Sequence, residues 1–381
     1  MKEFQKIVEA YDNLDFKERK AALATVVKIQ GSSYRRPGAR MLMTDDGRWV
    51  GAISGGCLEG DALRRSREVI LEGKPRVVTY DTTDDESAQS LGVGLGCNGI
   101  IDVIIEPIDE SSSSNPIDLL KTFLANRASA ALASIYNIEG EFQAAVGQRM
   151  MRKAKQEVQN MIQDPILAEL IEKDLVKIQN TGQSLSKVYH TERGRAEVFL
   201  EAMNPALHLI VFGGGYDAVP VTKLAREIGW QVTVTDDCIA HLSPKRFPDA
   251  DDIVPIDRHE VAQKLAIDAY TAALLISHNY KYDLAVLESL LDTDLRYIGI
   301  LGPQKRAVKM FNALKEKGKL KASDYQRIHG PVGLNIGAET PDEIALSIIA
   351  EIQAKFSGRP GNFLKDLEGP IHDEYPFFKP D

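Results

Sequence analysis

The chain opens on an amphipathic stretch. In MKEFQKIVEAYDNLDFKERK, Phe4, Ile7, Val8 and Tyr11 recur at helical spacing, which predicts a helix with one apolar face. Ala21–Ile29 (AALATVVKI) is a continuous apolar run of strand length and is expected to be buried. Arg40–Thr44 and Arg48–Ile53 flank Asp45-Asp46-Gly47, the signature of a hairpin. Ser54-Gly55-Gly56-Cys57 ends that hairpin, and helical spacing then runs from Leu58 to Glu72, closed by Gly73. Arg76–Tyr80 reads as a strand. An acidic connection, DTTDDES, leads to a Gly-rich loop around a cysteine, LGVGLGCNG, which feeds the apolar strand Ile100–Ile105.

The middle of the chain is less articulate. A serine run before Asn115-Pro116 predicts a helix start at Pro116. Ala130–Asn137 is strand-like, Met150–Gln179 reads as a charged helix, and Val188–Glu201 as a strand pair. No chemical motif stands out there. Beyond Asn204-Pro205, strand and helix patterns alternate: His208–Phe212, Gln231–Thr235, Ala272–Ser277 and Arg296–Leu301 are apolar strands, each followed by turn or helical sequence. That alternation implies a parallel sheet covered on both faces. Thr340-Pro341-Asp342-Glu343 is a capping box that starts a helix running to about Lys355.

The fold class expected is α/β: a mixed α/β N-terminal domain at 1–110, a connecting α/β region at 111–204 and a Rossmann-like doubly wound parallel sheet at 205–356. A C-terminal arm follows at 357–381. A length of 381 residues suits two or three domains. Composition is that of a soluble globular protein, with 44% hydrophobic and 27% charged residues. No apolar run reaches the roughly 20 residues of a membrane helix, and the first residues lack a secretory h-region. A net charge of −9 argues against general nucleic-acid binding. The three cysteines, Cys57, Cys97 and Cys238, have no metal-finger spacing and suggest no disulfide framework. A cytoplasmic, reduced protein is the expectation.

Two regions carry candidate chemistry. Gly213-x-Gly215-x-x-Ala218 follows a strand, opens a helix and precedes the acidic Asp236, as a dinucleotide fingerprint requires. Asp236 would accept from a ribose hydroxyl, favouring NAD or a related nucleotide. Asp217, at the same helix start, suits the dipole but opposes a pyrophosphate. His278 leaves a core strand at the usual ligand crevice, as an acid–base candidate or a structural histidine. Gly302, Lys305 and Arg306 offer an anion site or solvated surface charge. The second region is Gly31–Asp61. Arg35, Arg36 and Arg40 could hold an anion by charge-assisted bonds. Cysteines beside cations tend to thiolate, a nucleophile and soft metal ligand, so Cys57, flanked by Gly55 and Gly56, and Cys97 are candidates, with a buried thiol as the plain alternative.

The stretch GSSYRRPGARMLMTDDGRWVGAISGGCLEGD, its echo GLGCNG, and the ordered series HLIVFGGG, VTVTDD, ISHNYKYD, YIGILGPQKR and PVGLNIGAETPDEIALSIIAEI together resemble the xanthine dehydrogenase accessory factor (XdhC/CoxI) family. The resemblance implies a maturation factor that binds molybdenum cofactor (molybdopterin), works with a cysteine desulfurase that supplies a sulfido ligand, and inserts the cofactor into a xanthine dehydrogenase-type molybdoenzyme. It also implies a homodimer. On that reading the cofactor lies between the domains or across the dimer. Arg35, Arg36 and Arg40 meet its negative charge, the Gly-rich loops close around it, and Cys57 touches molybdenum or receives sulfur. Two rivals remain: an NAD-dependent oxidoreductase using Gly213, Gly215, Asp236 and His278, and a degenerate Rossmann scaffold that binds only proteins.

Overall fold

Two five-stranded antiparallel sheets with the same internal strand order build the first of two units, Met1–Pro205. The computed structural model describes residues 1–83, 99–112, 114–368 and 371. After helix α1 (Lys2–Asp12) come β1 (Ala21–Gly31), β2 (Arg40–Thr44), β3 (Trp49–Gly51), α2 (Glu59–Glu72), β4 (Arg76–Asp81) and β5 (Gly99–Ile108). They assemble in the order β3-β2-β1-β5-β4. Then α3 (Pro116–Leu124), β6 (Ala130–Gly140), β7 (Arg149–Arg152), β8 (Val158–Asn160), α4 (Pro165–Thr181), β9 (Leu185–Thr191) and β10 (Gly194–Met203) follow. Their order, β8-β7-β6-β10-β9, is that of the first sheet step for step. The stretch 111–204, read above as a connection, thus holds a complete sheet.

Alternation along β1 explains the layering. Ala22, Ala24 and Val26 pack with Leu58, Ala62 and Val69 of the α2 segment, whereas Ala21 and Leu23 pack with Leu132, Met151 and Met203 of the second sheet. A strand covered on both faces reads as a continuous apolar run, which is why β1 is buried from Ala21 to Val27. In β6, Ala131, Ala133 and Ile135 face α4 in the same way. The unit is therefore helix, sheet, sheet, helix. Val27, Ile104, Tyr136 and Phe199 meet between the sheets. Two of them, Val27 and Tyr136, sit where the β1–β5 and β10–β6 ladders each slip by one residue, at β-bulges.

Met150–Gln179 departs from the single helix expected. Arg149–Arg152 pairs with β6, Val158–Asn160 pairs with β7, and the helix starts only at Pro165. The physical cause is Asp164-Pro165. Asp164 accepts hydrogen bonds from the Ile166 and Leu167 amides as an N-cap, and proline fits the first turn but not a helix interior.

The second unit, Ala206–Asp381, is doubly wound. Its elements are β11 (His208–Phe212), α5 (Ala218–Glu227), β12 (Gln231–Asp236), β13 (Asp252–Pro255), α6 (Val261–Lys264), β14 (Thr271–Leu275), α7 (Tyr280–Leu290), β15 (Ile298–Ile300), α8 (Gln304–Glu316), β16 (Ile328–His329) and α9 (Pro341–Phe356). All pairings are parallel, in the order β13-β12-β11-β14-β15-β16, so the direction of winding reverses between β11 and β14. Helices α5 and α9 cover one face through Val221, Ala225, Ile348 and Ile352. On the other, α7 and α8 contribute Val286, Leu290, Met310 and Leu314. The Thr340/Glu343 capping box forms as read from the sequence. Of the C-terminal arm, residues 369–370 and 372–381 lie outside the described residues.

Phe199 is 1% exposed between the sheets. Phe199→Ala should lower unfolding stability by about 3–5 kcal/mol, read as a lower urea midpoint. An effect below about 1 kcal/mol would contradict the packing described.

Candidate functional site

In the first unit, two loop ends meet where β1 pairs with β5. Gly31, the last residue of β1, is the register partner of Gly99, the first of β5. A Cβ on Gly99 would lie 2.4 Å from the Ser32 carbonyl oxygen, so only glycine allows this approach. The loop 32–38 therefore leaves the sheet beside the end of the second Gly-rich loop. Cys97 itself lies outside the described residues.

The segment Ser54–Leu58 is latched to the start of α2. Ser54 Oγ accepts from the amides of Gly56, Cys57 and Leu58, each at 3.1 Å, and donates to Glu59 Oε2 at 2.5 Å. Glu59 Oε1 accepts from the Ile53 and Ser54 amides at 3.1 and 2.8 Å. Burial works to raise the Glu59 carboxyl, but the hydrogen bonds from Ser54 and the neighbouring amides outweigh it and hold it below its ordinary value. Gly55, Gly56 and Cys57 are thus presented on a fixed turn. Cys57 Sγ lies 3.4 Å from Ser54 Oγ, and the residue is half-buried against the α2 core. Gly56, at φ 115°, has nothing within 4 Å of the place where a Cβ would stand. The Tyr34 ring, 76% exposed, covers Gly55, whose Cβ position is 3.2 Å from it.

The three arginines part company. Arg35 pairs with Glu3 Oε2, and Glu3 Oε1 accepts from the Ala52 amide at 3.1 Å, which ties the arginine loop to the strand end that leads into the cysteine turn. Arg36 is exposed on the same loop. Arg40 is 3% exposed and bidentate to Glu201, with Nη1–Oε1 at 2.8 Å and Nη2–Oε2 at 2.5 Å. Burial works against its charge, but Glu201 more than offsets this and holds the Arg40 pKa above its ordinary value. Arg40 thus belongs to the interior and not to the loop surface. Tyr34, Arg35, Gly55, Gly56 and Cys57 are brought together. Tyr34, Ser54, Glu59 and Glu3 escaped the sequence reading. A Ser five residues before a Glu at a helix start was the available signal for the latch, although the bonds also run to backbone.

In the second unit, the glycine turn lies at the β11/β14 switch point. Gly213, at φ 122°, packs so closely on Ser277 that a Cβ would lie 2.5 Å from the Ser277 Cα. Asp236, 5% exposed, is already engaged: it accepts from the Gly214 amide at 2.9 Å, the Cys238 amide at 2.9 Å and His241 Nδ1 at 3.0 Å. Burial works to raise its carboxyl, but these bonds prevail and lower it. Arg246 donates to the Gly214 carbonyl at 3.0 Å, and His241 fills the space where a Cβ on Gly214 would point. Gly215 alone keeps an open face, with His278 Cδ2 3.8 Å away. His278, exposed and at φ 59°, bonds Asp217 Oδ2 through Nε2 at 2.9 Å. Gly302, at φ 128°, lies against Arg306, which donates to buried Asp283 at 2.5 Å, while Lys305 is exposed. Among the described residues, no three His, Cys, Asp or Glu side chains group as a metal site.

Known proteins share this architecture and sequence. Residues 17–81 match the XdhC and CoxI family, and residues 209–352 match the XdhC Rossmann domain. The chain is 30% identical over 335 residues to a probable xanthine dehydrogenase subunit of Bacillus subtilis (strain 168), covering 88% of this chain and 93% of that one. It is 24% identical over 332 residues to the molybdenum cofactor insertion chaperone PaoD of Escherichia coli (strain K12), covering 87% and 82%. A crystal structure described as a xanthine dehydrogenase from Bacillus halodurans superposes with a TM-score of 0.74 at 29% identity, over 93% of this chain and 96% of that one.

Two outcomes follow from the geometry. Glu59→Gln should cost about 1–3 kcal/mol at neutral pH, because an NH2 donor replaces the carboxylate oxygen that accepts from the Ser54 hydroxyl and the Leu58 amide. Because the folded pKa lies below the ordinary 4.5, this contribution is present above that pH and is lost as pH falls through the folded value. The gap in stability between wild type and variant should therefore close on acidification, as denaturant melts at pH 7 and pH 3 would reveal. Gly213→Ala should cost about 2–4 kcal/mol through strain and overlap with Ser277, whereas Gly215→Ala should stay within about 1 kcal/mol. Equal costs would contradict the asymmetry of the turn.

Proposed function

Since the chain belongs to the XdhC and CoxI family, we propose that it is a molybdenum-cofactor-binding maturation factor, which holds the pyranopterin dithiolene cofactor and passes it to a xanthine dehydrogenase-type molybdoenzyme. The observation that carries this reading is the single surface made by Tyr34, Arg35, Gly55, Gly56 and Cys57. Each part suits one feature of that ligand. An exposed aromatic ring takes a planar ring system face-on. Cations on the 32–38 loop meet a phosphate. A half-exposed thiol is a soft ligand for molybdenum or an acceptor of sulfur. The latch of Ser54 and Glu59 holds the thiol in place before the ligand arrives, which lowers the ordering cost of binding. When bound, the cofactor supplies the metal and dithiolene sulfurs; this chain's part is to bind, orient and keep water away. The proposal extends to a sulfido-loading step with a cysteine desulfurase, to a cytoplasmic location and to a homodimer.

The rival reading, an NAD-dependent oxidoreductase, is less well supported. Its ribose acceptor, Asp236, already receives three hydrogen bonds from within the unit, and Asp217 stands at the start of α5 beside His278. The His278–Asp217 contact at the switch point is the feature that would favour it.

Isolated cofactor mixed anaerobically with the pure protein should co-elute from a sizing column. Cys57→Ala and Tyr34→Ala should each weaken retention about tenfold, about 1.4 kcal/mol, and saturating NAD should leave the melting temperature unchanged. Cofactor that elutes apart from wild-type protein, or an NAD-induced rise of several degrees, would overturn the reading.

A further inference from the structure

The two sheets of the first unit are copies of one module, and the copies are aligned without a gap from Ala21/Ala130 to Gly73/Gly182. Ala21-Ala22-Leu23-Ala24 corresponds to Ala130-Ala131-Leu132-Ala133, Gly31 to Gly140, Gly38 to Gly147, Arg40 to Arg149, Ile53 to Ile162 and Leu58 to Leu167. The hydrogen bonds repeat too. Val26 N–H donates to the Ala39 carbonyl and Gly38 N–H to the Val26 carbonyl; in the second copy Ile135 donates to Gln148 and Gly147 to Ile135. Helices α2 and α4 both end on a glycine in the left-handed region, Gly73 and Gly182.

The copies are joined crosswise. Arg40 of the first pairs with Glu201 of the second, and Arg149 of the second pairs with Glu106 of the first, all four being nearly or fully buried. Each arginine also donates to the carbonyl two residues before it, Arg40 to Gly38 at 2.8 Å and Arg149 to Gly147 at 2.7 Å. Each glycine presses on the opposite carboxylate: a Cβ on Gly38 would lie 2.7 Å from Glu201 Oε1, and one on Gly147 2.9 Å from Glu106 Oε1. The clamp is thus symmetric. What it holds is not. In the first copy it closes the loop carrying Tyr34, Arg35 and Arg36. In the second the corresponding positions are Gln143, Ala144 and Ala145. Where the first copy has Gly55-Gly56-Cys57, the second has Asp164-Pro165-Ile166.

We propose that the binding surface is confined to the first copy and that Glu201, supplied by the second copy, is the positioning residue that sets its 32–38 loop through Arg40 and Gly38. The inference rests on the reading of that surface as a cofactor site, and the mirror carboxylate Glu106 supplies the control. Glu201→Gln and Glu106→Gln break equivalent pairs, so both should lower the melting temperature comparably, by about 5–10 °C. Only Glu201→Gln should free the loop. Trypsin reports this directly, because it cuts after Arg35, and the 141–147 segment offers it no Lys or Arg.

Measured on the full chain at a temperature where all variants are folded, cleavage after Arg35 should rise about tenfold in Glu201→Gln and stay near wild type in Glu106→Gln. Cofactor retention should fall about tenfold in the former alone. If Glu201→Gln does not fold, Glu201→Asp against Glu106→Asp makes the same comparison with the charge kept. Equal cleavage and equal retention in the two mirror variants would overturn the inference. Wild-type protein that holds no cofactor would defeat the functional reading instead, while the cleavage comparison would still decide the role of Glu201.

Discussion

Two buried arginine–carboxylate pairs govern the first unit. Arg40–Glu201 and Arg149–Glu106 each take a charge from one sheet and its partner from the other. A buried charge left unpaired is far costlier than the pair is favourable, by about 3–5 kcal/mol on removal of one partner. Neither sheet can therefore satisfy its own interior alone, and the two must fold against each other. The apolar contacts of Leu23, Leu132, Met151 and Met203 supply the driving force. The ion pairs supply register: with one partner in each sheet, a slip of one residue would strand all four groups.

On this symmetric frame the chemistry is one-sided. The Ser54–Glu59 latch, the thiol of Cys57 and the ring of Tyr34 have no counterpart at Gln163, Ala168, Ile166 and Gln143. Residues 82–98 join β4 to β5 in the first copy, where Glu192-Arg193 suffices for β9 and β10. A duplicated module that keeps its pairing residues and varies its loops gives one copy side chains that the other lacks. The second unit shows a related economy. Its glycine turn keeps the geometry of a nucleotide-binding fold, yet Asp236, His241 and Arg246 occupy the turn from within. Fold and ligand are separable there.

Much of this was legible in the sequence, for local reasons. Asp45-Asp46-Gly47 marks a tight hairpin, Thr340 to Glu343 a capping box, and Gly213 a strand-to-helix turn at positive φ; each is set by its own neighbours. What stayed hidden depends on residues far apart. Arg40 read as one of three loop cations because nothing local announces Glu201 on another sheet. The second sheet went unread because β7 and β8 are short and carry polar residues, RMMR and VQN, with helix-like spacing through Gln179. Comparison of AALATVVKIQG with AALASIYNIEG, and of the Gly-x-Arg-Met that follows each, was the signal that could have revealed the repeat.

The most direct test of the account is the content of the protein made in a host that synthesises molybdenum cofactor. Purified without chelators and without oxygen, it should carry molybdenum and pterin in near-equal amounts, with both much reduced in Cys57→Ala. Protein that carries neither, and that gains neither when fresh cofactor is supplied, would contradict the claim that the Tyr34–Cys57 surface is a cofactor site.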